Sequence, residues 1–212
     1  MRVVLINPNS TAAMTRSALD AARQAAPDLT IEGWTSDKGP VAIQGAEDGA
    51  RAVPPLLELV DTASGDGADA IIIACFDDTG LAQAQARARC PVIGIGQASF
   101  IMAELRGGPS AVITTVPEAV PIIAANVREQ GHAGRIAHVL AADVPVLMLE
   151  EDPERAADAF EAAARTLPTG IANLIIGCAG AVTITAILEQ RLAMPVMDGV
   201  TSAARLCRAL SG

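Results

Sequence analysis

Two of the four cysteines carry the chemistry that this sequence can offer. Cys75 stands just past a strongly apolar run, residues 68–74, and Cys178 just past another, residues 173–176. Each is followed by a loop that opens a helical stretch. They lie 103 residues apart, the difference between positions 75 and 178. Pro91-Val92-Ile93-Gly94 is echoed by Pro195-Val196-Met197-Asp198 at nearly the same offset, 104 residues, and residues 3–10 are echoed by residues 111–118. A free cysteine is usually a small buried apolar residue. Matching positions in an internal repeat, at the start of a helix where a thiolate is stabilised, argue for more. Two similar lobes facing each other would put the thiols on opposite sides of one cleft. One thiol could then take a proton from one face of a carbon while the other delivers a proton to the opposite face.

Around this pair the polar candidates are fewer. Asn7, Ser10 and Thr11 form a polar loop before a helix. They read either as helix caps or as donors to substrate carbonyls where enolate charge develops, and the same two readings apply to Thr114 and Thr115. Phe76, Ala179 and Gly180 flank the thiols and complete the candidate substrate contacts. Asp77 and Asp78 read as caps of the helix after Cys75, although their charge would oppose a thiolate. Cys90 and Cys207 have no mate in the repeat and read as structural. His132 and His138 lack the companions of a zinc site. No dinucleotide fingerprint or P-loop is present, and the single lysine, Lys38, does not stand out as a Schiff-base former. The expectation is an enzyme without metal or cofactor.

The elements that must position these residues alternate. Strands are expected at residues 3–6, 29–34, 68–74, 91–95, 111–115, 136–140, 173–176 and 195–197. Helices are expected from Ser10 or Thr11 to about 26, over 46–62 with a kink or restart at Pro54-Pro55, from Asp77 or Asp78 to 88, and over 116–130, 152–167, 182–192 and 201–210. Continuously apolar strands alternating with helices imply parallel sheets buried on both faces, joined by right-handed crossovers. Ligands of such sheets bind at the carboxyl ends of the strands, where Asn7, Cys75, Thr115 and Cys178 all fall. The repeat predicts two pseudo-symmetric α/β lobes, each a parallel sheet flanked by helices, with the active site in the cleft between them.

Composition narrows the partners. Of the 212 residues, 51% are hydrophobic and 18% charged, enough apolar content for a substantial core. Aromatics are 2% and the formal net charge is −9, without a Lys/Arg cluster, which argues against nucleic acid. No run reaches the roughly 18 apolar residues of a membrane span, and the first apolar run is too short for a signal peptide. The expectation is a cytoplasmic protein, with no membrane partner, acting on a small-molecule substrate.

The segments Asn7-Pro8-Asn9-Ser10-Thr11, Ala74-Cys75-Phe76-Asp77-Asp78-Thr79-Gly80-Leu81 and Gly177-Cys178-Ala179-Gly180, with Ile113-Thr114-Thr115 and Asp198-Gly199-Val200-Thr201, resemble those of the hydantoin racemases of the aspartate/glutamate racemase superfamily. The likeness runs over essentially the whole chain. It implies two flavodoxin-like lobes, a first of residues 1–98 completed by a C-terminal helix at 200–212 and a second of residues 99–199. It also implies Cys75 and Cys178 as the catalytic pair, no cofactor, 5-monosubstituted hydantoins as substrates, and a homo-oligomer. Gln44, Gln97 and Ala181 depart from the residues expected there (Glu, Glu and Met), which bears on the substrate. Allantoin, itself a 5-substituted hydantoin, is the near alternative. An aspartate- or glutamate-type substrate would need a cationic clamp, and no Arg or Lys stands in the motif loops. A non-catalytic binding protein or a decarboxylase, which typically needs only one of the two cysteines, would fit the frame less well.

Overall fold

The computed structural model describes residues 1–210, so the last two residues of the helix expected at 200–212 lie outside the described residues. Two four-stranded sheets, parallel throughout, form the frame. The first contains β1 (Arg2–Asn7), β2 (Thr30–Thr35), β3 (Ala70–Ile73) and β4 (Val92–Gly94), in the order β2-β1-β3-β4. The second contains β5 (Ser110–Thr114), β6 (Ile136–Ala141), β7 (Asn173–Gly177) and β8 (Val196–Asp198), in the order β6-β5-β7-β8. The two orders are the same order, so the repeat read from the cysteine spacing is a repeat of topology. In each sheet the strand order reverses at the first strand's far neighbour, between β1 and β3 and between β5 and β7. That reversal opens a crevice beyond the carboxyl ends of those strands. Cys75 follows β3 and Cys178 follows β7, so both thiols stand at these crevices.

Helices cover both faces of each sheet. They are α1 (Ala12–Ala25), α2 (Ala46–Gly65), α3 (Leu81–Arg87), α4 (Ile95–Arg106), α5 (Val120–Glu129), α6 (Met148–Glu151), α7 (Pro153–Ala164), α8 (Thr185–Leu192) and α9 (Gly199–Leu210), with 3₁₀ turns at Pro117–Ala119 and Ala179–Thr183. Alternation within the strands distributes the core. Val3 and Leu5 of β1 and Ala70 and Ile72 of β3 face an apolar cluster shared with Ile95, Phe100, Val112, Ile175 and Cys207. Their neighbours Val4, Ile6, Ile71 and Ile73 face a second cluster under α2 and α3. Ala111, Ile113, Leu174 and Ile176 face a third, closed by Ala156, Ala157, Phe160 and Leu188. The first cluster takes residues from both sheets, so burial of one continuous core holds the lobes together. Helix α9 packs on both α1 and α4 and closes that core. Cys207 is fully buried in α9, and Cys90 is half-buried, packed against the cluster under α2.

The structure departs from the sequence expectations at four places. Helix α4 was not foreseen. It runs unbroken across residues 98 and 99, and its apolar positions are spread around its circumference because Ile95, Ala98, Phe100 and Ala103 are all buried. Such a helix shows no single apolar stripe, and Gly94 and Gly96 at its start read as a loop. Helix α2 continues through Pro54 and Pro55 without a restart. The helix expected from Asp77 or Asp78 begins only at Leu81, and the one expected from 182 begins at Thr185, after a 3₁₀ turn. Both thiols therefore sit in turns. Among the described residues no helix is long and apolar enough to cross a membrane.

Candidate active site

The two crevices merge into one cavity lined by Cys75 and Cys178 together. The Cys75 side follows from β3. Ala74 donates its N–H to the carbonyl of Ile6, continuing the ladder by one residue, and the chain then turns, with Asp78 N–H on the Cys75 carbonyl at 3.1 Å. Asp78 takes a left-handed conformation, φ 50°, which Asp adopts more readily than most residues. Its carboxylate accepts from Gly96 N at 3.0 Å, Gln97 N at 2.8 Å and Gln130 Nε2 at 3.2 Å. Asp78 is thus a cap, but of α4 rather than of the helix that follows it. Asn126, on α5, donates to the Asp77 carbonyl at 2.8 Å. The second lobe therefore holds the turn that carries the first lobe's thiol.

The Cys178 side is built by close approach. Gly177 leaves room for a β-carbon only 3.2 Å from Thr114 Cβ and 3.3 Å from the Phe76 ring. Thr114 Oγ1 donates to the Gly177 carbonyl at 2.7 Å, fixing the strand end from which Cys178 projects. Cys178 is extended (φ −157°, ψ 149°) and precedes the 3₁₀ turn at Ala179–Thr183.

The thiols were expected to be acidified by helix N-termini, and this is corrected. Burial pushes Cys178 up to about 12 and Cys75 further above its ordinary range. Local donors resist: the N–H groups of Gly180 and Ala179 for Cys178, and the Thr79 hydroxyl with the N–H of Asp77 for Cys75. Thr79 Oγ1 lies 3.4 Å from Cys75 Sγ. The Asp77 charge works against ionisation of both sulfurs, and the Glu150 charge works against Cys178 as well. Desolvation outweighs the donors because a thiolate in a dry cleft loses its hydration shell. Burial likewise holds Asp77 and Asp78 up at about 7.

Of the other sequence candidates, Phe76, Thr114, Thr115 and Ala179 line the cavity, and Asn7, Ser10, Thr11 and Gly180 do not. Asn7 is buried, with its amide committed to Asn9 Oδ1 at 2.9 Å, Thr15 Oγ1 at 3.1 Å and the Thr11 carbonyl. It positions Asn9, whose backbone N–H it accepts and which lines the cavity in its place. Asn9 Oδ1 accepts from Thr11 N at 2.9 Å, whereas its Nδ2 reaches only the Met14 sulfur at 3.5 Å, a weak acceptor. That leaves Asn9 Nδ2 as the amide donor suited to a substrate carbonyl. Thr11 occupies the N-cap position of α1, yet makes no side-chain cap. Its hydroxyl donates to the Val41 carbonyl at 2.8 Å, and Ser10 N–H to the Pro40 carbonyl at 2.9 Å. Both anchor the loop between β2 and α2, the 36–45 segment. Gly180 contributes its backbone N–H to Cys178.

That loop reaches across the mouth. Ile43 and Val146, from opposite lobes, both line the cavity. Gln44 Oε1 accepts from Val146 N at 3.1 Å, and Ser17 Oγ donates to Glu150 Oε2 at 2.9 Å. Gln97 does not reach the cavity, and its N–H serves the Asp78 cap. The cavity lined by the two thiols is narrow, about 30 Å³. Sequence reasoning did not name Asn9, Met14, Ile43, Ala74, Asp77, Ala119, Val146 or Gly177 as site residues. Of these only Met14 and Ala119 stood outside the segments that carried the resemblance or departed from it. Among the described residues no group of three His, Cys, Asp or Glu is arranged to hold a metal.

Comparison with known proteins identifies relatives over the length of the chain. Residues 3–207 match the family model described as Asp/Glu/Hydantoin racemase. A hydantoin racemase from Rhizobium meliloti is 40% identical over 217 residues, covering 100% of this chain and 89% of the relative. The solved allantoin racemase from Klebsiella pneumoniae is 33% identical with a TM-score of 0.92, covering 99% of this chain and 87% of that one. The allantoin racemase from Pseudomonas fluorescens is 31% identical, also at a TM-score of 0.92, covering 99% and 90%.

Proposed function

The chain belongs to the Asp/Glu/hydantoin racemase family and is a racemase, and from that premise we propose that it racemises 5-monosubstituted hydantoins by passing the C5 proton between Cys75 and Cys178. The observation that carries this reading is that two thiols from matching crevices line one cavity that has no Lys, Arg or His in its lining. In the reaction one cysteine, as thiolate, takes the C5 proton. The electron pair is delocalised into the adjacent C4 carbonyl as an enolate. The opposite thiol then gives its proton to the other face of C5, and the two sulfurs exchange protonation states. Asn9 Nδ2 and the hydroxyls of Thr114 and Thr115 are the donors we assign to the substrate carbonyls, where negative charge develops. Phe76, Met14 and Val146 supply apolar contact to the ring and its substituent. Desolvation, which opposes the resting thiolate, also makes it a stronger base once it forms.

The absence of a cation from the lining speaks against an aspartate- or glutamate-type substrate, whose carboxylates need a charged partner. Allantoin is the second reading. It is supported by the fold match and 33% identity to the allantoin racemase from Klebsiella pneumoniae, and it uses the same two thiols.

The test is proton NMR in D₂O with one enantiomer of 5-methylhydantoin, or separately of allantoin, with optical rotation followed in parallel. The expected result is loss of the C5 proton signal together with decay of rotation. Cys75→Ser and Cys178→Ser should each lower racemisation roughly 10²- to 10⁴-fold. Full rates in both variants would refute the two-thiol mechanism. Acceleration on allantoin alone would replace the substrate and keep the mechanism.

A further inference from the structure

Besides the thiols, the cavity lining holds one ionisable side chain, Asp77. Its neighbour Asp78 is tied by three donors. The Asp77 carboxylate carries no hydrogen bond or ion pair among the described residues; its backbone carbonyl is engaged by Asn126 and its backbone N–H by Cys75. Asp77 lines the same cavity as both thiols, and its charge acts on both sulfurs. The pseudo-symmetry fails at this position. Cys75-Phe76-Asp77 corresponds to Cys178-Ala179-Gly180, and at Gly180 the space a side chain would enter is closed by Leu149 and Met14. Among the described residues the cavity lining therefore carries one acid, on the first lobe's side, and no cation, while the charge of Glu150, outside the lining, reaches Cys178 from the second lobe.

A carboxylate accepts hydrogen bonds and donates none once ionised. Left alone in a desolvated cleft it is costly, and a neutral substrate offering an N–H relieves that cost. A substrate bearing its own carboxylate would add a second negative charge at close range in a medium of low dielectric. We propose that Asp77 sets the substrate class of this cleft, admitting neutral N–H-bearing rings and turning away molecules that carry a carboxylate. This deepens the hydantoin reading and rests on it for the identity of the ring.

Two probes that differ by one charge test the assignment, 5-methylhydantoin and hydantoin-5-acetate at pH 8. Each is measured as a racemisation substrate and as a protectant of the cysteines against iodoacetamide, which reads binding without turnover. Wild type is expected to prefer the neutral probe by at least about tenfold. In Asp77→Asn the preference should collapse to within about twofold, and in Asp77→Glu, which restores the charge, it should return. An unchanged preference in Asp77→Asn overturns the role of Asp77, whatever the turnover. Racemisation with unchanged preference leaves the hydantoin reading standing and removes this one. No racemisation by wild type, with carboxylate protection gained in Asp77→Asn and lost again in Asp77→Glu, removes the hydantoin reading and supports the charge filter.

Discussion

Replacing Asp78 by Ala removes three hydrogen bonds that hold the turn carrying Cys75. The carboxylate caps α4 through Gly96 N and Gln97 N and binds Gln130 Nε2 at the C-terminal end of α5. It therefore links the Cys75 turn to two helices at once. Loss of a helix cap costs about 1 kcal/mol, and each buried donor left unpaired costs roughly 1–3 kcal/mol. Part of this is recovered, because burial already holds the carboxyl up at about 7 and its removal relieves that desolvation. Alanine adds strain at φ 50°, a conformation that Asp and Asn adopt more readily. The net expectation is a loss of about 3 kcal/mol. For a chain of 212 residues that is a fall in Tm of roughly 6–12 °C, at about 2–4 °C per kcal/mol. Asp78→Asn keeps an acceptor and tolerates the conformation, so its loss should be about half as large. Thermal unfolding at pH 8, followed by circular dichroism, measures both. An Ala variant that melts within 2 °C of the parent would refute the reasoning, because the cap would then contribute nothing. In the Ala variant kcat/KM should fall further than in Asn, since the same turn carries Cys75.

Three further outcomes are expected. Gln44→Ala removes the bond to Val146 N across the mouth, worth about 1 kcal/mol; steady-state kinetics should show KM raised roughly fivefold with kcat within about twofold, and a fall in kcat alone would contradict a role at the mouth. Iodoacetamide should modify Cys178 before Cys75, because burial and charge together push the Cys75 thiol further above its ordinary range than that of Cys178; mass spectrometry of partly alkylated protein reads the order, and the reverse order would sink the argument. The carboxyl of Asp77 is raised from 3.8 to about 7 by burial, so between those values the folded state holds a proton that the unfolded state has lost. Its stabilising contribution is complete below pH 3.8 and disappears as pH rises through about 7. Melting profiles from pH 4 to 8 should therefore fall less steeply in Asp77→Asn than in the parent, and parallel profiles would mean that Asp77 is not desolvated.

The frame and the thiol pair were legible in the sequence because they rest on local patterns repeated at a fixed offset. Apolar runs mark β1, β3, β5 and β7, and a cysteine just after the third strand of each repeat is placed by chain connectivity alone. Helix α4 was hidden because it is buried on nearly every side and begins between two glycines. Those glycines are explained by the same cap: a β-carbon at Gly94 would lie 2.0 Å from Asp78 Oδ1, and one at Gly96 would lie 2.4 Å from the Phe76 carbonyl. Reading Asp78 as a cap was right in kind and wrong in partner, since Gly96 lies 18 residues away. Asn7 was taken for a substrate contact when it orients Asn9, a choice between adjacent amides that depends on which one α1 and Thr15 absorb. Ile43 and Val146 could not be foreseen, because they meet only through the contact of two loops from opposite lobes.

Pseudo-symmetry in this fold extends to topology and stops short of electrostatics. A two-thiol site needs the first property, because the sulfurs must approach one carbon from opposite sides. It does not need the second, because the enzyme must begin each turnover with one sulfur charged and the other protonated. Identical surroundings would leave that choice to chance, and two thiolates in a desolvated cleft would repel each other. Here Asp77 follows Cys75 and Gly180 takes the matching place after Cys178, although Asp77 acts on both sulfurs and Glu150 adds its charge at Cys178. In the two-thiol mechanism we propose, burial and charge raise Cys75 further than Cys178, so the resting charge is expected on Cys178, with Cys75 as the acid. The bias cannot alter the equilibrium between enantiomers, which belongs to the substrate. It can only set which enantiomer meets the ready form of the enzyme, so the asymmetry belongs to the kinetics of the two directions at limiting substrate.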